Sequence, residues 1–178
     1  SYALFEDPPV VEALFEIVGS VYVKIARRLV EMPRLGAAFM ADDLAFAQAP
    51  LVSPEVYRKY VFPWYKQIGA IFDAAGLPFI FHSDGKIYDV LDDLADCGIC
   101  AIHPIEPQAM DIYDVKKRYG DRFCIFGNID LDYTLTRGTV EDGGYFIFPS
   151  ESHNVDTLAV VLDFIDDWTM DDSSPVAI

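Results

Sequence analysis

Residues 76–94 read GLPFIFHSDGKIYDVLDDL. A continuous apolar run ends at His82, and Ser83, Asp84 and Gly85 follow before an amphipathic pattern begins. An apolar run of this length predicts a buried β-strand, and the pattern after it predicts a helix. The stretch is therefore predicted to be a strand–loop–helix unit that carries a histidine, a hydroxyl and a carboxylate at the carboxyl end of its strand.

The same unit recurs along the chain. Apolar runs predict five strands, at Ala37–Ala41, Pro78–His82, Ile99–His103, Phe123–Gly127 and Tyr145–Pro149. Helical patterns lie around them, at Pro8–Met32, Pro54–Phe72, Ile87–Cys97, Ala109–Tyr119 and Val155–Trp168. Alternation of strands and helices predicts an α/β fold with a parallel sheet. Regular units of this size favour a (β/α)₈ barrel of the TIM type, although spacing alone leaves an open sheet as an alternative.

The connection before the fifth predicted strand is short. A parallel crossover needs about 10–12 residues including its helix, whereas Leu135–Asp142 offers barely two turns before Gly143. We therefore hypothesise that residues are missing from the sequence after Asp142, and also near Asn154. With these interruptions, residues 1–178 are expected to form a single domain that holds about five of the eight units of a barrel.

The charge balance limits the classes of partner. The 178 residues include 13 Lys and Arg and 29 Asp and Glu, which gives a net charge of −16. So acidic a chain is expected to bind neither nucleic acid nor an anionic membrane. The sequence shows no membrane-spanning run and no secretion signal, and its three cysteines make no complete disulfide framework, so a cytoplasmic location is predicted.

Two of the cysteines form a C-x-x-C pair. Redox pairs of this kind stand where a strand gives way to a helix, because the helix N-terminus lowers the thiol pKa. Here the order is reversed, since Cys97 closes a predicted helix and Cys100 lies in the following predicted strand. Plain burial of both cysteines as small apolar residues is therefore the favoured interpretation.

Polar side chains collect at one end of the predicted strands. All three histidines, His82, His103 and His153, lie at or just past strand carboxyl ends. The same is true of five acidic groups: Asp42, Asp43, Asp84, Glu106 and Asp130. Ligands bind at this edge both in barrels and in open α/β sheets. The sequence therefore predicts one polar pocket.

Each of these residues also has a purely structural interpretation. His82 could be a core histidine bonded to a neighbouring carbonyl group, and Asp84 could cap the helix that follows. The remaining alternatives are a solvated loop pair for Asp42 and Asp43, a rigid turn between two prolines for Glu106, an ordered loop for Asp130 and a helix cap for His153.

The pocket suits a limited range of chemistry. Imidazole and carboxylate ligands suit Zn²⁺ or another divalent ion, and catalytic sites use three protein ligands with one open position. His82 and Asp84 could reach one ion where the backbone bends at Gly85, with His153 or Glu106 completing the set. Without a metal, the same groups could act as general acid and base.

Several segments resemble one enzyme family. DDLAFAQAPLVSPEVYRKYVFPWYKQI, FHSDGKIYDVLDDLADCGI, HPIEPQAMDIYDVKKRYGDRFCIFGNID and GGYFIFPSESHN are similar, in this order, to the second half of the uroporphyrinogen decarboxylase superfamily. The resemblance implies a (β/α)₈ barrel of which this chain holds the C-terminal part. The superfamily also includes cobalamin-dependent methyltransferases and O-demethylases, so the resemblance implies either methyl transfer or decarboxylation.

The resemblance is carried over residue by residue. Corrinoid methyltransferases bind zinc with a His-x-Cys pair and a later cysteine; His82 matches the histidine, Asp84 stands in place of the first cysteine, and Ser152-His153 correspond roughly to the later one. Oxygen and nitrogen ligands in place of two thiolates argue against a zinc site that activates a thiol. The resemblance then implies an ether or an amine as the methyl donor. In the decarboxylases, a histidine that His153 resembles contributes to the porphyrin pocket.

The prediction is a metal-assisted methyltransferase or demethylase that passes a methyl group to a corrinoid protein. The predicted metal ligands are His82, Asp84 and His153; the catalytic residues Asp42, Asp43, Glu106 and His153; and the substrate-binding residues His103, Asn128 and Asp130. The predicted cofactors are Zn²⁺ or another divalent metal and a corrinoid supplied by a partner protein. The predicted partners are a small-molecule substrate, that corrinoid protein and a second copy of the chain. The alternatives are uroporphyrinogen decarboxylase, which needs no cofactor, and a non-catalytic binding barrel.

Overall fold

The computed structural model describes residues 2–139. Within them the helices are Ala3–Glu6 (α1), Pro8–Leu29 (α2), Pro54–Tyr60 (α3), Phe62–Ala74 (α4), Leu91–Asp96 (α5), Ile112–Tyr119 (α6) and Thr134–Arg137 (α7), and a 3₁₀ turn covers Tyr88–Val90. The strands are Ala38–Ala41 (β1), Phe79–His82 (β2), Ala101–Ile105 (β3) and Cys124–Gly127 (β4). None of these helices combines the length and the apolar character that crossing a bilayer would require.

The four strands form one parallel sheet. Their spatial order is β1-β2-β3-β4, the same as their order in the chain. The α/β class and the parallel sheet predicted from the sequence are therefore confirmed. The fifth predicted strand, the final predicted helix, His153 and both hypothesised interruptions lie outside the described residues.

The pairing register aligns the strand ends. Ala41 lies opposite His82, and His82 lies opposite His103. Neighbours in a parallel register project from the same face of the sheet. The register therefore places the two histidines side by side at the carboxyl ends of β2 and β3.

Alternation along β2 assigns the two faces of the sheet. Phe79 and Phe81 are buried, whereas Ile80 and His82 are half-buried. The rings of Phe79 and Phe81 pack against Phe72 and Tyr65 of α4, with ring centroids 5.2 and 5.5 Å apart. The hydrophobic core thus lies between the sheet and the helices, and His82 projects from the opposite face.

The predicted helix Pro54–Phe72 is two helices. The helix is interrupted at Val61, and α4 begins with Phe62 and Pro63. Proline has no N–H group, and its ring clashes with the carbonyl of the residue four positions earlier in a continuous helix. Pro63 is instead accommodated in the first turn of the new helix, where an N–H would have no partner.

Two further elements differ from the prediction. β3 continues through Pro104 to Ile105, and the register between β3 and β4 shifts between Ile102 and Ile105, which accommodates a residue with no N–H to donate. The predicted helix Ile87–Cys97 begins as the 3₁₀ turn and becomes α-helical only at Leu91. Its predicted apolar face is nevertheless buried, with Ile87, Val90, Leu91 and Leu94 at most 1% exposed.

The two cysteines of the C-x-x-C pair differ in exposure: Cys97 at the end of α5 is buried, and Cys100 just before β3 is exposed. Cys97 is buried as predicted, and burial raises its thiol pKa to about 12. Cys100 is exposed, so the prediction of burial is wrong for this residue. Its neighbours Ile99 and Ala101 are buried, and alternation along extended chain turns the side chain between them to the other face.

Candidate functional site

Three side chains converge where β1 and β2 end. His82 Nε2 lies 3.7 Å from Asp43 Oδ1 and 3.7 Å from Asp84 Oδ1. The donor atoms of the three residues all lie within 4.8 Å of one another. The His82 side chain is 25% exposed, and those of Asp43 and Asp84 are 56% and 44% exposed. We call His82, Asp43 and Asp84 the rim triad.

The spacing within the rim triad suits a shared cation. At 3.7 Å the imidazole is too far from either carboxylate for a hydrogen bond. Two ligands that each lie about 2.1 Å from a tetrahedral ion are separated by about 3.4 Å. One nitrogen and two carboxylate oxygens at nearly this spacing are a donor set that Zn²⁺ and similar ions accept.

The backbone holds Asp43 in place. Its Oδ1 accepts a hydrogen bond of 3.0 Å from the Asp84 backbone N–H. Asp84, in contrast, caps no helix, because Ile87 occupies the N-cap position of the turn that follows. The sequence assigned Asp43 to catalysis and Glu106 or His153 to the third ligand position; the structure places Asp43 beside His82 and Asp84.

His82 also contacts the second histidine. The Nδ1 atoms of His82 and His103 lie 2.9 Å apart, so one ring donates a hydrogen bond and the other accepts it. The rings of Phe39 and Phe126 flank His103, with centroids 5.6 and 6.2 Å away. Burial, and secondarily the neighbouring His82 ring, lower the pKa of His103. Both effects favour the neutral form of His103, and the charge of Asp84 opposes them.

Ser83 connects the loops after β1 and β2. Its side chain is fully buried; Oγ accepts a 2.9 Å hydrogen bond from the Leu44 N–H and donates one to the Asp84 carbonyl at 2.9 Å. The Tyr57 hydroxyl donates to the carbonyl oxygen of Leu44. Ser83 thereby fixes the separation of the two loops that carry Asp43 and Asp84. The sequence singled out this hydroxyl by its place between His82 and Asp84 but assigned it no role.

Replacing Ser83 with alanine should destabilise the fold by about 1–3 kcal/mol, because the buried Leu44 N–H loses its acceptor. Urea unfolding followed by circular dichroism measures this loss. Ser20→Ala is the matched control, since the Ser20 hydroxyl donates to a backbone carbonyl on the largely exposed helix α2 and should matter little. Equal stability of the two variants would contradict the role given to Ser83.

Glu106 supports the turn that follows Asp84. Its Oε2 accepts a 2.6 Å hydrogen bond from the Gly85 N–H, and the Lys86 N–H donates to the carbonyl oxygen of Phe46. Gly85 has φ +83°, a conformation that favours glycine. The carboxylate that the sequence assigned to catalysis thus has a backbone partner in the loop of the rim triad.

Asp42 faces away from the rim triad. Its Oδ2 accepts a 2.5 Å hydrogen bond from the Tyr65 hydroxyl. Desolvation is the main cause that raises the pKa of the Asp42 carboxyl; the Tyr65 hydrogen bond opposes it and the charge of Asp43 adds to it. Burial and the adjacent Asp42 raise the pKa of the Tyr65 phenol. The pair is a carboxyl–phenol contact at the margin of the site.

The raised pKa of Asp42 predicts that Asp42→Asn stabilises the fold in a pH-dependent way. An acid whose pKa is higher in the folded than in the unfolded state destabilises the fold as the pH rises. For Asp42 this loss of stability begins near the unfolded-state pKa of 3.8 and is complete above the folded-state pKa. Asparagine keeps an acceptor for Tyr65 without the charge, so the variant should match the parent below that window and become more stable above it. Urea midpoints at acid and neutral pH measure the difference. Glu16→Gln, which removes an exposed charge from α2, controls for net charge. An equal increase in stability from Glu16→Gln would show that the effect comes from net charge and not from the burial of Asp42.

Two residues predicted to bind substrate, Asn128 and Asp130, follow β4. Asp130 accepts hydrogen bonds from the Tyr133 N–H at 2.8 Å and from the Gln108 amide at 2.9 Å, and these bonds, the backbone one first, lower its carboxyl pKa. Asn128 has φ +83°, and its Oδ1 is buried with no hydrogen-bond partner among the described residues. Asp130 thus orders its own loop, the structural alternative raised by the sequence.

Comparison with known proteins finds one family and two kinds of relative. The sequence model of the family "Uroporphyrinogen decarboxylase (URO-D)" matches residues 2–142. A methylcobamide:CoM methyltransferase MtaA from Methanosarcina barkeri is 28% identical over 130 residues, which cover 73% of this chain and 36% of that protein. A uroporphyrinogen decarboxylase from Chlorobaculum tepidum is 30% identical over 141 residues, 78% of this chain and 37% of that protein.

A solved structure shares the fold. A methyltransferase from Methanosarcina mazei superposes with a TM-score of 0.67 at 20% identity and covers 82% of this chain and 41% of its own. This likeness shows the fold, and it agrees with the predicted barrel type. The chain spans well under half the length of each of these relatives.

Proposed function

The chain belongs to the uroporphyrinogen decarboxylase family, and from this premise we propose that it serves metal-assisted methyl transfer to or from a corrinoid. The observation that carries the proposal is the rim triad, one imidazole nitrogen and two carboxylate oxygens within 4.8 Å of one another. The relative from Methanosarcina barkeri is named a methylcobamide:CoM methyltransferase, and methylcobamide is a methylated corrinoid. The methyl donor proposed for this chain is an ether or an amine.

The donor set fits a divalent cation by its chemistry. His82 can offer Nε2, since its contact with His103 uses Nδ1. Asp43 and Asp84 offer two anionic oxygens that offset the charge of the ion. When bound, such an ion supplies Lewis-acid polarisation of the atom that carries the methyl group. His153, which was also predicted as a ligand, lies outside the described residues.

The surrounding residues orient the site. Ser83 and Glu106 hold the loops that carry the two aspartates through buried or half-buried hydrogen bonds. Phe39 and Phe126 present apolar surface next to His103. Carboxylates and aromatic rings close to one another suit a small donor with an apolar body, and the 25% exposure of the His82 side chain leaves it accessible.

Decarboxylation of a porphyrinogen is the second candidate, because the relative from Chlorobaculum tepidum carries that name. Its substrate is rich in carboxylates. Asp43 and Asp84 stand side by side at these strand ends, and like charges brought together in a cleft cost several kcal/mol. The acidic rim therefore favours methyl transfer.

Two assays on the purified full chain separate the candidates. In the first, cob(I)alamin is the acceptor, with a methyl aryl ether or a methylated amine as donor, and formation of methylcobalamin is followed by its absorbance with and without added Zn²⁺. In the second, uroporphyrinogen consumption is measured. Zn²⁺-dependent methylcobalamin formation would support the proposal. Porphyrinogen turnover without any metal requirement would replace it with decarboxylation, and absence of turnover in both assays would favour the non-catalytic barrel.

A further inference from the structure

We propose that His103 is a positioning residue that selects the metal-binding tautomer of His82; this inference rests on the proposed function. The two rings meet through their Nδ1 atoms at 2.9 Å. The other nitrogen of His82, Nε2, faces Asp43 and Asp84. His82 therefore divides its two nitrogens between the rim triad and His103.

Valence fixes the direction of the hydrogen bond in a metal-binding state. A neutral imidazole carries one proton, and a metal takes the lone pair of the nitrogen that lacks it. If Nε2 of His82 binds a cation, its proton is on Nδ1, and that N–H can only donate to Nδ1 of His103. His103 must then carry its own proton on Nε2. This hydrogen bond thus links the tautomers of the two rings, and His103 supplies the acceptor that the metal-binding tautomer of His82 requires.

The packing around His103 makes it a suitable acceptor. Its ring is half-buried and lies between Phe39 and Phe126, with centroids 5.6 and 6.2 Å from its own. The paired register of β2 and β3 places the two Cα atoms opposite each other. The position of the acceptor is therefore determined by the sheet rather than by a loop, and the His82 ring is held in one orientation.

A hydrogen bond to the outer nitrogen of a ligating histidine strengthens metal binding. Loss of such an outer partner weakens metal affinity by about 10–100-fold in proteins. The backbone carbonyls of neighbouring residues do not take this place here, because the hydrogen-bond partner of His82 Nδ1 is the other imidazole. The sequence assigned His103 to substrate binding, and its distance from the carboxylates was not readable from the sequence.

Paired substitutions at His103 test the proposal. His103→Leu removes the acceptor and should weaken Zn²⁺ affinity about 10–100-fold, measured by competition with a chromophoric chelator. His103→Asn should retain most of the affinity, because its side-chain oxygen is attached to Cγ as Nδ1 is and can accept the same bond. Thermal unfolding of both variants shows whether either has lost its fold.

The tautomers give a readout that does not depend on Zn²⁺ affinity. Long-range ¹H–¹⁵N spectra of histidine-labelled protein should show His82 protonated at Nδ1 and His103 at Nε2, both with and without Zn²⁺. The chain has three histidines, so His103→Asn identifies the His103 signals and His82→Ala identifies those of His82. The reverse tautomers, or equal Zn²⁺ affinity in the parent and both variants, would overturn this inference alone. Failure of the unaltered chain to bind Zn²⁺ would overturn the proposed function and this inference with it.

Discussion

Replacing His82 with alanine should lower Zn²⁺ affinity more than about 100-fold, because it removes the only nitrogen donor of the rim triad. Loss of an outer hydrogen-bond partner alone costs 10–100-fold, and loss of the ligand itself should exceed that range. The remaining pair, Asp43 and Asp84, is more than 40% exposed on both side chains and competes poorly with water for a cation. Elemental analysis after dialysis and a chelator competition titration measure the change.

Three further variants define what the His82 result means. Asp43→Asn and Asp84→Asn keep the size of each side chain and remove one negative charge, so each should weaken Zn²⁺ binding less than His82→Ala does. Glu16→Gln removes a carboxylate from the exposed surface of α2 and should leave binding unchanged. If His82→Ala bound Zn²⁺ like the parent chain, the rim triad would not be the metal site, and the proposed function would lose its principal support.

The sheet was predictable because its strands carry a strong local signal. Each described strand is a short apolar run bounded by turn residues, and runs of this kind cannot form stable helices of their own. Parallel strands end at one edge of a sheet, which is why residues as far apart as Asp43 and Asp84 could be assigned to the same region. The break at Pro63 was also readable in principle, because proline in a helix interior removes a hydrogen bond and clashes with the previous turn.

The arrangement within the site was not predictable from one sequence. Whether Asp43 or Glu106 lies beside His82 depends on the path of two loops, and that path follows from the hydrogen bonds of Ser83 and Glu106 to distant backbone groups. The contact between His82 and His103 depends on the register of β2 and β3, which residue spacing gives only to within a few positions. The exposure of Cys100 depends on which side chains of an extended segment point inward. The predicted strand began at Ile99 and was taken as wholly buried, whereas β3 begins at Ala101.

Substituting alanine for Gly85 should destabilise the fold by about 2–5 kcal/mol, because two penalties combine. Gly85 has φ +83°, a conformation that costs a residue with a side chain about 1–2 kcal/mol. A Cβ atom at this position would lie 2.4 Å from the Ala45 carbonyl oxygen and 2.6 Å from that of Phe46, so the backbone must shift, at a further cost of about 1–3 kcal/mol. Chemical denaturation measures the sum.

Gly76→Ala separates the two penalties. Gly76 has φ +66°, but an added Cβ would meet no atom within 4 Å, so this variant should lose only the conformational term of about 1 kcal/mol. The difference between the variants is the cost of the contact with Ala45 and Phe46. That contact joins the loop after β1 to the loop after β2, and displacing it moves Asp84 relative to Asp43. Gly85→Ala should therefore also weaken Zn²⁺ binding, while Gly76→Ala leaves it intact. Equal losses of stability in the two variants would show that the close approach of these loops adds nothing to the cost of substituting Gly85.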